Sequence, residues 1–159
     1  MGVRHVTGDL LAAAPTLDYI CHQVNCCGVM GSGIAYKIRE KYPVVYNKYK
    51  DWYIGAEKCP LNENKQMFGH IQVIEVEPEL SIVNLAAQRY YGNDGKRYTS
   101  YDAFWTCLNE LKEKVPTGSK IGFPGYIGCG LGGANWPIIY SMIWEVLAKD
   151  YEVYIYYLP

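Results

Sequence analysis

Apolar positions along the chain switch repeatedly between a two-residue period and a period of three to four, which predicts strands interleaved with helices. Residues 3–7 alternate as a first strand, Gly8-Asp9-Leu10 turns the chain at its end, and 10–14 has room for one helical turn before Pro15. A short apolar run over 19–24, holding Ile20, Cys21 and Val24, suits a buried second strand. It feeds Gly28-x-x-Gly31-Ser32-Gly33, after which Ile34, Ala35, Ile38 and Tyr42 recur at helical spacing. Pro43 either kinks this helix or starts a second one that runs to Trp52. The stretch 55–66 reads as a polar, irregular link.

Further along, 67–76 alternates around Phe68, Ile71, Val73 and Val76, and 80–85 is another apolar strand, so the two predict a hairpin. The segment 88–99 centres on Asn93-Asp94-Gly95, which is loop chemistry. Thr99 or Ser100 then caps a helix reaching about Val115, with Phe104, Cys107, Leu108 and Leu111 on one face. A short strand over 119–123 leads into a second glycine-rich loop, 124–133. Asn135 caps a final helix with Pro137 in its first turn, and 151–158 closes as a strand. This order predicts an α/β fold over 1–159, one domain with a mixed, mostly parallel sheet between helical layers. Ligands of such sheets sit where strands end and loops lead into helices. Three loops qualify: 8–10, 25–33 and 124–133.

Composition narrows the classes. Half of the 159 residues are hydrophobic and 19% are charged, with no apolar run near the ~18 residues of a membrane span and no charged-then-apolar leader. A soluble cytoplasmic protein with no membrane partner is expected. A formal net charge of -1 supplies no basic footprint for sequence-specific nucleic-acid binding, so a bound anion has to be met mostly by backbone. Six cysteines without a C-x-x-C pair read as reduced thiols. His22, Cys26 and Cys27 could approach zinc, but adjacent cysteines chelate poorly and no metal is expected. The sixteen tyrosines suit core edges, with the ring buried and the hydroxyl wet.

The first glycine loop is an anion cradle in outline: glycines let a ligand approach the backbone, and the free N–H groups opening the next helix point at it. It lacks both the G-x-G-x-x-G dinucleotide fingerprint and the G-K-[ST] of a P-loop, so neither cofactor class is expected. A lone glycine triplet is more often a tight turn; two such loops, each between strand and helix, favour a ligand with two phosphates. Asn25 carries a donor and an acceptor that suit ribose hydroxyls, or else hold the loop's own backbone. Asp9 can accept from an exocyclic amine or cap the chain after it. His22 lies three residues before Asn25 and is the best acid-base candidate; its plainer reading is a hydrogen-bonded core histidine. Cys129, between Gly128 and Gly130, has no C-x5-R context and reads as a small packing residue.

Three stretches together carry a family resemblance: Thr7-Gly8-Asp9-Leu10, the loop from Val24 through Asn25 to Ala35, and Gly128-Cys129-Gly130-Leu131-Gly132-Gly133-Ala134-Asn135-Trp136. The chain resembles the macrodomains, an ADP-ribose-binding family with a three-layer α/β/α sandwich, and within it the single-domain bacterial and phage branch. It is similar also to the fungal ADP-ribose 1''-phosphate phosphatase and the terminal ADP-ribose glycohydrolases. The resemblance implies that Asp9, beside Leu10, contacts the adenine amine and that Asn25 contacts the distal ribose. It places Gly31, Ser32, Gly33 and Ile34 along one side of the diphosphate, and Gly128, Cys129, Gly130 and Leu131 along the other. His22 falls where the fungal phosphatase has a histidine proposed to act in catalysis. Gln88 stands where the glycohydrolases carry a lysine, and Gly132 where one carries an aspartate and many macrodomains an aromatic ring. Three functions are therefore expected in competition. Hydrolysis of ADP-ribose 1''-phosphate through His22 and Asn25 leads, with removal of ADP-ribose from a modified protein or nucleic acid using a bound water, and binding without turnover, as the alternatives.

Overall fold

In the computed structural model, which describes residues 1–58 and 66–159, six strands form one sheet. The strands are β1 (Gly2–Thr7), β2 (Tyr19–Gln23), β3 (Ile71–Glu77), β4 (Leu80–Leu85), β5 (Lys120–Pro124) and β6 (Glu152–Tyr157). Their order across the sheet is β1-β6-β5-β2-β4-β3, and every neighbouring pair is parallel except β3 with β4. The helices are α1 (Gly33–Lys41), α2 (Pro43–Glu57), α3 (Tyr101–Lys114) and α4 (Trp136–Leu147).

Each face of the sheet is covered by one helix pair. Cys21, Val83, Phe123 and Val153 pack with Phe104, Leu108, Leu111 and Ile143 under α3 and α4. Ile20, Ile82, Val24 and Ile74 pack with Ile38, Val45 and Tyr49 under α1 and α2. Along β2 the residues alternate between these two cores, as the two-residue pleat requires. Full burial on both faces explains the near-continuous apolar runs of the central strands.

The main differences from the expected elements have local causes. The stretch 67–70 is a turn rather than strand, because Gly69 adopts φ +85° and its N–H bonds Ala86 O; β3 starts only at Ile71. The one helical turn expected over 10–14 is instead a series of turns followed by a short 3-10 helix, Ala14–Thr16, that accommodates Pro15 in its first turn. Pro43 begins a new helix rather than kinking α1, and α2 runs on past Trp52, so 55–57 are helical and not part of an irregular link. Cys59 and the rest of 59–65 lie outside the described residues. Ser100, not Thr99, caps α3, accepting from Ala103 N at 3.1 Å. Among the described residues no helix is long and apolar enough to cross a membrane.

Candidate functional site

The carboxyl ends of β1, β6, β5, β2 and β4 all open on one edge of the sheet, and a cleft of about 920 Å³ runs across them. Asp9 and Leu10, after β1, form one end. Asn25 and Gln88, after β2 and β4, form the other. β6 and β5 lie between β1 and β2, so at about 4.8 Å per strand the two ends stand roughly 14 Å apart.

The first wall is the loop before α1. Gly31, Ser32, Gly33 and Ile34 line it, and Gly33 takes φ +60° where the chain enters the helix. Ser32 occupies the N-cap position without a side-chain capping bond, which leaves the first N–H groups of α1 free towards the cleft. The facing wall is 124–133, where Gly128, Gly130, Leu131 and Gly132 line the cleft. The structure thus brings together every sequence-expected site residue except two.

His22 is the first exception. It is fully buried on the α1/α2 face of the sheet and does not line the cleft. Its Nε2 bonds Asn84 Oδ1, Asn84 Nδ2 donates to Gln72 Oε1 at 3.0 Å, and Gln72 Nε2 donates to Lys48 O at 2.9 Å. A backbone carbonyl can only accept, so the chain of bonds fixes every amide orientation and makes His22 Nε2–H a donor. An imidazolium would donate there too, but His22 Nδ1 is buried without a partner and burial lowers the pKa to about 4, so the ring is neutral at pH 7. The acid-base role expected for it is corrected: strand alternation turns the ring beneath the cleft floor, where its three-residue distance from Asn25 is irrelevant.

Cys129 is the second. Its thiol donates to Ile127 O at 3.4 Å, packs against the α3/α4 core and is pushed up to about 11 by burial. It does not line the cleft between Gly128 and Gly130, so the place along the diphosphate that the resemblance gives Cys129 is corrected, while its reading as a small packing residue agrees with the structure.

Asn25 lines the cleft but is already engaged. Its Oδ1 accepts from Cys27 N at 2.9 Å and from the Tyr49 hydroxyl at 2.6 Å, while Nδ2 donates to Val29 O at 2.9 Å. Both readings of this residue meet here: it holds the loop and leaves one N–H of Nδ2 for a ligand.

Two neutral side chains that join the floor to the second wall, Gln23 and Thr99, escape sequence reading as site residues. Gln23 Nε2 donates to Gln88 Oε1 at 2.6 Å and to Thr99 Oγ1 at 2.8 Å, and Thr99 in turn donates to Gly128 O at 2.8 Å. Tyr98 N and Thr99 N both bond Gly132 O, at 2.8 and 3.0 Å. Gly132 is required by this closeness, since a Cβ there would lie 2.5 Å from Gly128 O and from Thr99 Oγ1. Polar residues at strand and loop ends were the available signal, but partners 65 and 76 residues away in sequence have no signature.

The charge of the cleft is modest. Among the described residues its lining carries formal charge only at Asp9 and Lys37, and Asp9 already receives Leu11 N at 2.9 Å. An anion here meets backbone N–H groups, one lysine and neutral amides. Among the described residues no three His, Cys, Asp or Glu side chains converge as metal ligands would.

An open, mostly parallel sheet covered by two helix pairs, with paired glycine loops at its strand ends, defines a three-layer α/β/α domain whose cleft lies where such sheets hold ligands. The chain has the macrodomain fold. It superposes on the macrodomain of Thermus aquaticus DarG with a TM-score of 0.74 at 24% identity, over 97% of both chains. A Bacteroides thetaiotaomicron protein of unknown function gives 0.81 at 27% identity, over 99% of this chain and 98% of that one. Thermosipho africanus DarTG, solved with ADP-ribose, gives 0.76 at 23% identity, over 100% of this chain and 42% of that one. In sequence, an uncharacterized 17.5 kDa phage T4 protein is 28% identical over 96% of this chain and 98% of its own length. An Aspergillus oryzae ADP-ribose 1''-phosphate phosphatase is 40% identical over 47 residues, 30% of this chain and 23% of that enzyme. No family model matches the chain.

Proposed function

We propose that residues 1–159 form a single cytoplasmic domain that binds ADP-ribose along this cleft, adenosine towards Asp9 and distal ribose towards Asn25. The observation that carries the reading is the pairing of two glycine walls across a cleft whose polar ends stand roughly 14 Å apart. That spacing suits a molecule with a base at one end, a sugar at the other and a diphosphate between. Thermosipho africanus DarTG, a neighbour in fold, is solved with ADP-ribose. The neutral lining around Asn25 and Gln88 favours holding the ligand over acid-base chemistry on it, because among the described residues the one lining carboxylate, Asp9, belongs to the opposite end.

Hydrolysis of ADP-ribose 1''-phosphate is the second reading, favoured by the 47-residue match to the Aspergillus oryzae phosphatase. In this reading a water held by Asn25 or Gln88 attacks phosphorus. The bond from phosphorus to the 1''-oxygen breaks, ADP-ribose leaves with that oxygen, which takes up a proton given off by the attacking water, and loop N–H groups offset the charge on the phosphoryl oxygens. Calorimetry with ADP-ribose tests the first reading, and absence of binding sinks it. Phosphorus NMR of ADP-ribose 1''-phosphate incubated with the protein tests the second: inorganic phosphate supports turnover, while unchanged ligand leaves a binder. Free ADP-ribose released instead from a modified protein or nucleic acid would mark a glycohydrolase.

A further inference from the structure

Tyr49 lies in the middle of α2, fully buried, and does not line the cleft, yet its hydroxyl meets four groups of the first glycine loop. It accepts from Gly28 N at 3.1 Å and Val29 N at 3.2 Å, and its proton is shared between Asn25 O at 2.8 Å and Asn25 Oδ1 at 2.6 Å. A buried phenol so placed is fully satisfied, and burial raises its pKa, so it stays protonated and can always donate. Without that oxygen, two loop N–H groups would point into an apolar core.

The same helix fits the loop sterically. Gly28 adopts φ +76°, and a Cβ there would lie 2.6 Å from the Tyr53 ring one turn along α2. The loop is therefore pressed onto α2, and the Tyr49 hydroxyl sets where Asn25 and the backbone after it stand.

We propose that Tyr49 is a positioning residue of the cleft: it acts through Asn25 and the Gly28–Val29 backbone to hold the distal-ribose end in its binding geometry. The consequence for ligands rests on the ADP-ribose reading above; the consequence for the loop does not. Adenosine monophosphate occupies the Asp9 end and is little affected by Asn25, whereas ADP-ribose needs both ends.

The experiment compares Tyr49→Phe with wild type, using Tyr53→Phe as a control whose lost hydroxyl bonds Glu57 rather than any group of the loop. Amide hydrogen exchange is followed by NMR, and calorimetry is run with ADP-ribose and with adenosine monophosphate. Tyr49→Phe is expected to keep slow exchange in β2 and β4 while Gly28 and Val29 lose protection. It should weaken ADP-ribose about tenfold and adenosine monophosphate less than about twofold. Equal loss for both ligands, or unchanged loop exchange, overturns the proposal. If wild type binds no ADP-ribose, the functional reading fails by itself, and the loop exchange alone decides the role of Tyr49.

Discussion

His22 and Asn84 are register partners on the adjacent parallel strands β2 and β4, and the His22 imidazole donates through Nε2 to the Asn84 side-chain carbonyl with both residues fully buried. Because burial lowers the folded-state pKa to about 4, the unfolded chain, titrating near 6.5, binds a proton the folded protein refuses between those values. His22 thus costs no stability above about pH 6.5 and roughly 3 kcal/mol by about pH 4. Urea unfolding between about pH 7.5 and about pH 4.5 should show a steep loss that is much flatter in His22→Gln. The same slope in both proteins would remove His22 as its source.

Asp9 separates two contributions. Its Oδ1 accepts from Leu11 N, which an asparagine can also do, whereas only a carboxylate brings charge to an exocyclic amine. Asp9→Asn should hold stability within about 0.5 kcal/mol yet weaken ADP-ribose several-fold; Asp9→Ala should add a loss of about 1 kcal/mol in stability. Thermal unfolding and calorimetry on the two variants distinguish these outcomes.

Thr99 is 2% exposed and stands between Gln23 and Gly128. Thr99→Val keeps the shape and removes the hydroxyl, so Gln23 Nε2 loses one of its two acceptors and Gly128 O keeps only Ala134 N; denaturant unfolding should register about 1 kcal/mol. Thr99→Ser restores the hydroxyl and should recover most of that loss.

Two glycines of the second wall should respond in opposite ways. A Cβ on Gly130 meets nothing within 4 Å, so Gly130→Ala should leave stability within about 0.5 kcal/mol and act only on ligands through the cleft. Gly132→Ala drives a methyl into Gly128 O and Thr99 Oγ1 and should cost about 1 to 3 kcal/mol. Matching melting temperatures for the two variants would contradict the packing described for this wall.

Most of the fold was legible because apolar periodicity reports burial directly. β1, β4, α3 and the Ser100 boundary emerge from alternation, helical spacing and a capping residue. Where one glycine with positive φ interrupts an apolar run, as Gly69 does before β3, periodicity cannot see the break. The glycine loops were visible as punctuation between strand and helix, so the cleft walls were found. His22 was misplaced for a different reason: nearness in sequence along a strand says nothing about which face a side chain takes. Had the pleat been counted from Ile20 and Val24, both in the α1/α2 core, His22 would have fallen between them on the same buried face. Tyr49 and Thr99 carried no signal, since their partners are joined to them only by tertiary packing.

The position of β6 has a further consequence. Within residues 1–159 β1 precedes the other five strands of the sheet, yet its neighbour is β6, which follows them and also bridges it to β5. A nascent chain therefore carries Asp9 just past an unpaired strand until residues 152–157 emerge and dock, and until then the two halves of the cleft have no common floor. A cleft without β6 is two unjoined halves, so any ligand that spans it would report that this strand has docked.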